Sequence, residues 1–360
     1  MKISKLIPAY KSIIWGGNKL KSDFGKNTDL TPLAESWELS LHKDGECTLI
    51  DGTPLSKAAT ASDFGKNCQG FDFFPVLVKL IDANDRLSVQ VHPADEYALK
   101  NENSLGKTEM WYIVDADEGA GIYLGFKENI SKDQFERAIE EKTLTDYLKF
   151  IPVKPGECYF IPAGTIHAIC SGCLICEIQQ NSNITYRVYD YGRKDKNGNG
   201  RELHVKKALD VTSTEAIEPM SLDIKCREGV LKGISRFFTA TLVQINGKSE
   251  FTKDDASFRC FTCISGEGEI GDVSIKKGES VFVPAGHESF SISGSFTAIM
   301  TTVRKYYLKV NQSDMLCTAS VVNDLGEIIA ERQEKVERSA LVRSLLNSLG
   351  LTMSDVDEIN

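Results

Sequence analysis

The sequence predicts a mainly β chain: two small barrels of the jelly-roll kind, a few short helices and a small α/β tail. Two observations predict it. Short apolar runs separated by Gly, Pro, Asn and Asp clusters recur along most of the chain, as in Val76–Ile81, Leu87–Val91, Met110–Val114, Gly121–Phe126, Tyr159–Ile161 and Leu174–Gln180. The chain also repeats itself. Lys154–Gly164 reads KPGECYFIPAG and Lys276–Gly286 reads KKGESVFVPAG, identical at seven of eleven positions with an offset of 122 residues. Each copy follows several short strands, so one barrel reads as built twice.

The elements follow in order. Residues 1–225 read as a first barrel with leading strands, 226–310 as a second, and 311–360 as an extension. A helix interrupts the first barrel. Ser131 and Gln134 have capping-box spacing, Phe135 and Ile139 share a face, and the pattern ends near Lys142. In the tail, Thr318–Val322 and Glu327–Ala330 flank Asn323–Gly326 as a hairpin. Leu341, Leu345 and Leu349 then mark a helix stopped by Gly350. The segment Asp314–Thr318 lacks the glycines of a kinase phosphate loop. A shorter repeat, SDFGKN at Ser22–Asn27 and Ser62–Asn67, reads as two similar surface turns.

Composition narrows the function. The 360 residues are 41% hydrophobic and 26% charged, with a formal charge of −9. This argues against a general binder of nucleic acid or membrane surfaces and leaves room for a local basic pocket. Met1–Tyr10 is mixed and contains Pro8, and no run approaches the roughly 20 apolar residues of a spanning helix, so the expectation is a cytoplasmic protein. Ten cysteines include Cys170, Cys173 and Cys176, and the pair Cys260 and Cys263. Cys176 and Cys263 fall inside strand-like runs and not on tight turns. The expectation is reduced cysteines acting as small apolar residues, not a thiolate metal site.

The residues that carry chemistry lie in the first barrel. Gln90 and His92 are two apart in a strand pattern and so share a face. Lys107 and Glu109 repeat that spacing at the start of another strand. The turn Pro162-Ala-Gly164 would aim His167 back toward the interior. One amide oxygen, two imidazoles and one carboxylate make a mixed N/O set that suits Zn²⁺, one per chain, or another borderline divalent metal, with a position open for water or substrate. In the second copy Ser289 stands where His167 stands in the first, His287 is displaced by two residues, and the Arg259–Cys263 segment offers no matching ligands. That barrel is expected to be structural. His42, His204 and His287 receive no role. A third cluster runs from Glu177 to Arg193. Glu177 and Gln179 share a strand face, and Arg187 follows in what reads as a polar loop. A guanidinium there suits a phosphate or a developing oxyanion.

Taken together, these residues resemble type I mannose-6-phosphate isomerases of the cupin superfamily, in particular the shorter bacterial members. The resemblance begins at Pro8-Ala-Tyr-Lys, Trp15-Gly-Gly17, Glu35–Ser40 and Lys79–Asp82, and continues through Gln90-Val-His92-Pro93, Gly106–Tyr112, Pro162–His167 and Glu177–Arg193. It fades near residue 310 and so covers most of the chain. It implies zinc held by Gln90, His92, Glu109 and His167, with Arg187 in the active site and Lys107 lining it. The family often reads Asn-Ser-Asp where this chain has Asn181-Ser-Asn183.

The implied reaction interconverts mannose 6-phosphate and fructose 6-phosphate. The ring opens, a proton leaves C2, a cis-enediol forms, and a proton is returned to C1. Lys107 and Arg187 would supply positive potential. The base is open among Glu177, Lys107 with a lowered pKa, and a water on the metal. The expected partner is a small sugar phosphate, with the chain a monomer or homodimer. Three alternatives fit less well. An iron cupin oxygenase wants a richer histidine set, a non-catalytic sugar-phosphate sensor would not need the intact set, and a fused nucleotidyltransferase would need a glycine-rich loop.

Overall fold

The computed structural model describes every residue except 195, 196, 314, 315, 335, 336 and 360, and the side chain of residue 313 is also left aside. The Asp314–Met315 part of the kinase-loop comparison therefore lies outside the described residues. The chain is mainly β and divides into two compact units. One comprises Met1–Ile7, Cys47–Pro75 and Met220–Asn360, the other Pro8–Glu46 and Val76–Pro219.

The unit of Pro8–Glu46 and Val76–Pro219 holds two larger sheets. The six-stranded sheet runs Cys158–Ile161, Glu109–Ala116, Cys173–Gln180, Val76–Ala83, Glu35–Leu39, Ala9–Lys11. The five-stranded sheet runs Leu148–Pro152, Gly121–Phe126, His167–Ile169, Val89–Val91, Tyr186–Tyr189. All the pairings are antiparallel. Ile81, Ile113, Ile161 and Ile175 of the first sheet and Ile122, Leu124 and Ile169 of the second join one apolar core, which accounts for the apolar runs. The central strands Val76–Ala83 and Cys173–Gln180 are buried along their whole length. Their Lys79, Glu177 and Gln179 are therefore buried polar groups that need partners. The expected helix spans Lys132–Glu140. The Gln134 backbone N–H donates to Ser131 Oγ at 3.1 Å, and the Ser131 N–H donates to Gln134 Oε1 at 2.8 Å. Phe135, Ala138 and Ile139 are its buried face.

The other unit holds an antiparallel nine-stranded sheet built round three long strands, Thr239–Phe251, Arg259–Ile270 and Phe290–Thr302. Ser4–Ile7 pairs with both Ser280–Val283 and Thr48–Leu49, which brings the start of the chain into this sheet. The sequence repeat is a repeat of structure. Cys158–Ile161 and Ser280–Val283 are equivalent strands. The glycines before them, Gly156 and Gly278, take φ of +92° and +84°, and the closing Gly164 and Gly286 take +85° and +73°. A side chain would be strained at all four, which is why glycine recurs there. The sheets of neither unit close into barrels.

The tail is more than a hairpin. Tyr306–Ser313, Leu316–Asn323 and Ile328–Glu334 form an antiparallel run, and Val356–Ile359 pairs parallel to the first of them. The helix Arg338–Leu349 ends at Gly350 with φ +70° and buries Leu341, Leu345 and Leu349 in a core shared with Leu222, Leu231 and Ile234. All ten cysteines are free thiols, and Cys176 and Cys263 are buried in strands. Among the described residues no helix is long and apolar enough to cross a membrane.

Candidate metal centre and adjoining pocket

His92, Glu109 and His167 meet. They are 1%, 0% and 0% exposed, and one donor atom from each lies within 4.8 Å of the others. Among the described residues they are the only group of three or more His, Cys, Asp or Glu side chains so placed. They come from both sheets. His167 opens the strand His167–Ile169 and pairs across to Gln90, while His92 follows the strand Val89–Val91. Glu109 opens Glu109–Ala116, flanked by Ile161 and Gln179. The turn at Gly164 is tied in, its N–H donating to the His92 carbonyl at 2.8 Å.

Both imidazoles are fixed from behind. The Nδ1–H of His92 donates to the Ile184 carbonyl and that of His167 to the Thr165 carbonyl, each at 2.8 Å. This leaves both Nε2 lone pairs facing inward, the tautomer a metal ligand needs. Burial lowers the pKa of both rings, His167 to about 4, so both are neutral. Nε2 of His92 and Oε1 of Glu109 are buried without hydrogen-bond partners. Oε1 lies 3.3 Å from His167 Nε2 and 3.8 Å from His92 Nε2. Orphaned acceptors this close together fit a cation between them. The Gln90 amide reaches the same spot, 3.4 Å from His167 Nε2, and as a ligand would turn its oxygen there.

Beside the trio runs a buried line of alternating charge. Lys107 Nζ is 2.7 Å from Glu109 Oε2 and 3.5 Å from Glu177 Oε1. Lys79 Nζ is 3.5 Å from Glu177 Oε1 and 3.6 Å from Glu35 Oε2. Strand register builds it, because Glu177 sits opposite Lys79 on one side and Trp111 on the other. Trp111 Nε1–H donates to Glu177 Oε2 at 2.9 Å and lies edge-on to the His167 ring. Burial and then the Glu177 charge push the Glu109 carboxyl up to about 8. Burial also opposes the charge on Glu177, but Lys107 and Lys79 outweigh it and hold Glu177 down at about 2. Burial works to lower the Lys107 pKa, yet Glu109 and Glu177 outweigh burial and raise it, which favours the charged form of Lys107 over a neutral base.

A cavity of about 290 Å³ opens over this line, near the lower end of ligand pockets, roughly 300–1,000 Å³. Gln90, Lys107, Glu177 and Arg187 all line it, so the structure gathers every predicted site residue at the pocket or the trio beside it. Arg187 corrects an expectation, since it lies in the strand Tyr186–Tyr189 opposite Gln90 and not in a loop. The pocket also takes in Lys79, Glu35, Arg201 and His204, to which the sequence reading gave no role. Asn183, where the family often has aspartate, lines it and donates to Asp44 at 3.1 Å. In the other unit His287 is half-buried, and Ser289 Oγ accepts from the Lys253 N–H.

Comparison with known proteins gives a consistent picture. Residues 3–119 match the family model described as the phosphomannose isomerase type I catalytic domain, and residues 231–303 match that of the mannose-6-phosphate isomerase cupin domain. The chain is 36% identical to mannose-6-phosphate isomerase of Streptococcus mutans over 79% of its own length and 93% of the relative's. It is 35% identical to mannose-6-phosphate isomerase ManA of Bacillus subtilis over 82% and 96%. A crystal structure of mannose 6-phosphate isomerase from Bacillus subtilis superimposes with a TM-score of 0.76 at 35% identity, covering 84% of this chain and 99% of that one.

Proposed function

The chain belongs to the type I mannose-6-phosphate isomerase family, and on that premise we propose that it interconverts mannose 6-phosphate and fructose 6-phosphate through a cis-enediol at this pocket. One observation carries the placement: two buried neutral imidazoles and a buried carboxylate, drawn from two sheets, turn unpartnered atoms toward one point beside the cavity.

Gln90, His92, Glu109 and His167 would hold a divalent cation, and zinc suits three nitrogen and oxygen donor types with no thiolate. When bound, such a cation acts as a Lewis acid on the sugar carbonyl and steadies negative charge on oxygen. Lys107, charged between Glu109 and Glu177, donates hydrogen bonds toward the oxygen on which charge develops. Glu177, held ionised, is the base assigned to the C2 proton, and it hands that proton to C1. Trp111 and Lys79 fix its orientation. Arg187 adds positive potential at the mouth of the pocket. In this reading residues 1–225, apart from the segments Met1–Ile7 and Cys47–Pro75 that fold with the other unit, are the catalytic cupin, 226–310 a second cupin without metal, and 311–360 an extension. The repeated glycine turns support the two cupins, and the confinement of the ligand set to one of them supports the division.

The test is a coupled assay of purified chain with mannose 6-phosphate. Production of fructose 6-phosphate by the wild type, and its loss in His167→Ala together with bound metal, is the expected result. A metal-loaded wild type that produces none contradicts the proposal.

A further inference from the structure

We infer that the phosphate of the substrate is bound between Arg187, Arg201 and His204, and that Arg201 is the residue that selects a phosphorylated sugar over a free one. The inference rests on the isomerase reading for the identity of the ligand, while the anion site itself rests on geometry.

These three side chains line the cavity with Ser88 and Thr185. Arg187 is half-buried, and among the described residues no carboxylate pairs with it directly. Its Nε–H donates to Ser88 Oγ at 3.1 Å and its Nη1–H to the Glu202 carbonyl at 2.9 Å, both neutral acceptors. Asp190 and Glu202 act on its charge only through space, beside the opposing charges of Arg201 and Arg193. Arg201 is aimed by Asp190, which accepts from its Nε at 2.8 Å and its Nη2 at 2.5 Å. That carboxylate is shared, because Arg193 Nη2 also donates to Asp190 Oδ1 at 2.5 Å. Arg193 has a second acid in Asp85, 3.3 Å away and half exposed. Among the described residues neither Nη2 of Arg187 nor Nη1 of Arg201 has a protein acceptor. The Arg187 pKa is lowered by burial and next by the charge of Arg201, as expected of two guanidiniums facing one space.

Like charges held together in a partly buried cavity, with one terminal guanidinium nitrogen of each left open, match a dianion. A phosphate monoester carries about −1.5 to −2 at neutral pH and accepts on three oxygens. His204 adjoins Arg187, its Nδ1 accepting from the Arg187 backbone N–H at 3.3 Å. Lys107 and Glu177 line the same cavity, so a sugar phosphate anchored here shares its space with the catalytic groups.

The test uses the full, metal-loaded chain with Arg201→Gln, Arg201→Lys and His204→Gln, and inorganic phosphate as a competitive inhibitor. Losing a charge-assisted fork to a dianion raises both KM for mannose 6-phosphate and Ki for phosphate by about 10- to 100-fold in Arg201→Gln, with the larger part of the effect in KM and not in kcat. Arg201→Lys recovers part of both. Wild-type KM and Ki in a folded Arg201→Gln protein overturn the inference. Where Arg201→Gln melts early because Asp190 has lost a partner, His204→Gln decides: a raised phosphate Ki supports the site and an unchanged one refutes it. A wild type that binds phosphate by calorimetry through Arg201 but turns over no mannose 6-phosphate would sink the isomerase reading and keep the anion site.

Discussion

Replacing Lys107 by methionine asks whether the buried charges are a balanced set that a metal completes. Lys107 Nζ lies 2.7 Å from Glu109 Oε2 and 3.5 Å from Glu177 Oε1, and all three groups are at most 5% exposed. At an effective dielectric near 20, the separation from ionised Glu177 gives a gross attraction of about 5 kcal/mol, and that from Glu109 about 6 kcal/mol in its ionised form. Desolvating the ammonium offsets much of this, and removing one partner of such a buried pair costs about 3–5 kcal/mol, mostly for the charge left alone. Methionine fills a similar volume, so the loss is electrostatic and not a cavity. The chain's three tryptophans, Trp15, Trp37 and Trp111, are all buried in the unit of Pro8–Glu46 and Val76–Pro219. Their fluorescence therefore reports the unfolding of that unit. With a urea dependence of about 1–3 kcal/mol per molar, the midpoint of the metal-free variant should fall by about 1–5 M. Saturating zinc should narrow the gap to wild type, because a cation beside Glu109 replaces the lost charge and binding adds its own stabilisation. Superimposable urea curves for metal-free wild type and Lys107→Met would refute the reasoning.

Further outcomes follow from the same geometry. Glu177→Gln should fold, keep its metal, and lose about 100-fold or more in kcat by the coupled assay; turnover near wild type would remove Glu177 from the mechanism. In the other unit, Asp254 is 2.5 Å from Arg304 Nη2, and although burial opposes its charge, that arginine holds its pKa below the ordinary aspartate value of 3.8. The folded state thus releases this proton more readily than the unfolded chain, so the contribution is present above about pH 3.8 and is lost as pH falls through the folded-state value. Acid unfolding followed by far-UV circular dichroism should lose part of its slope below that pH in Asp254→Asn. A curve unchanged in shape would contradict this.

Much of the site was legible because its signals are local. Gln90 and His92 share a strand face by spacing alone, as do Lys107 and Glu109, and the Pro162–Gly164 turn aims His167 inward. The repeat located two equivalent strands and their four glycine turns. What stayed hidden is non-local. Lys79 lies in an apolar strand and Glu35 in a neighbouring buried one, and only register makes them partners, setting Lys79 opposite Glu177 on one side and opposite Trp37, two residues from Glu35, on the other. Arg187 read as a loop residue because polar neighbours surround it, yet it pairs with Gln90. Arg201 and His204 reach the pocket from a polar segment with no strand or helix pattern to direct them. Likewise, the sheet that joins Ser4–Ile7 to Ser280–Val283, and the parallel pairing of Tyr306–Ser313 with Val356–Ile359, leave no short-range trace.

The most direct measurement is elemental analysis of the purified chain paired with turnover of mannose 6-phosphate before chelation, after chelation and after readdition of zinc. The account predicts close to one divalent metal per chain, turnover that disappears with the metal, and turnover that returns with zinc. Full activity in a preparation stripped of all metal would contradict it.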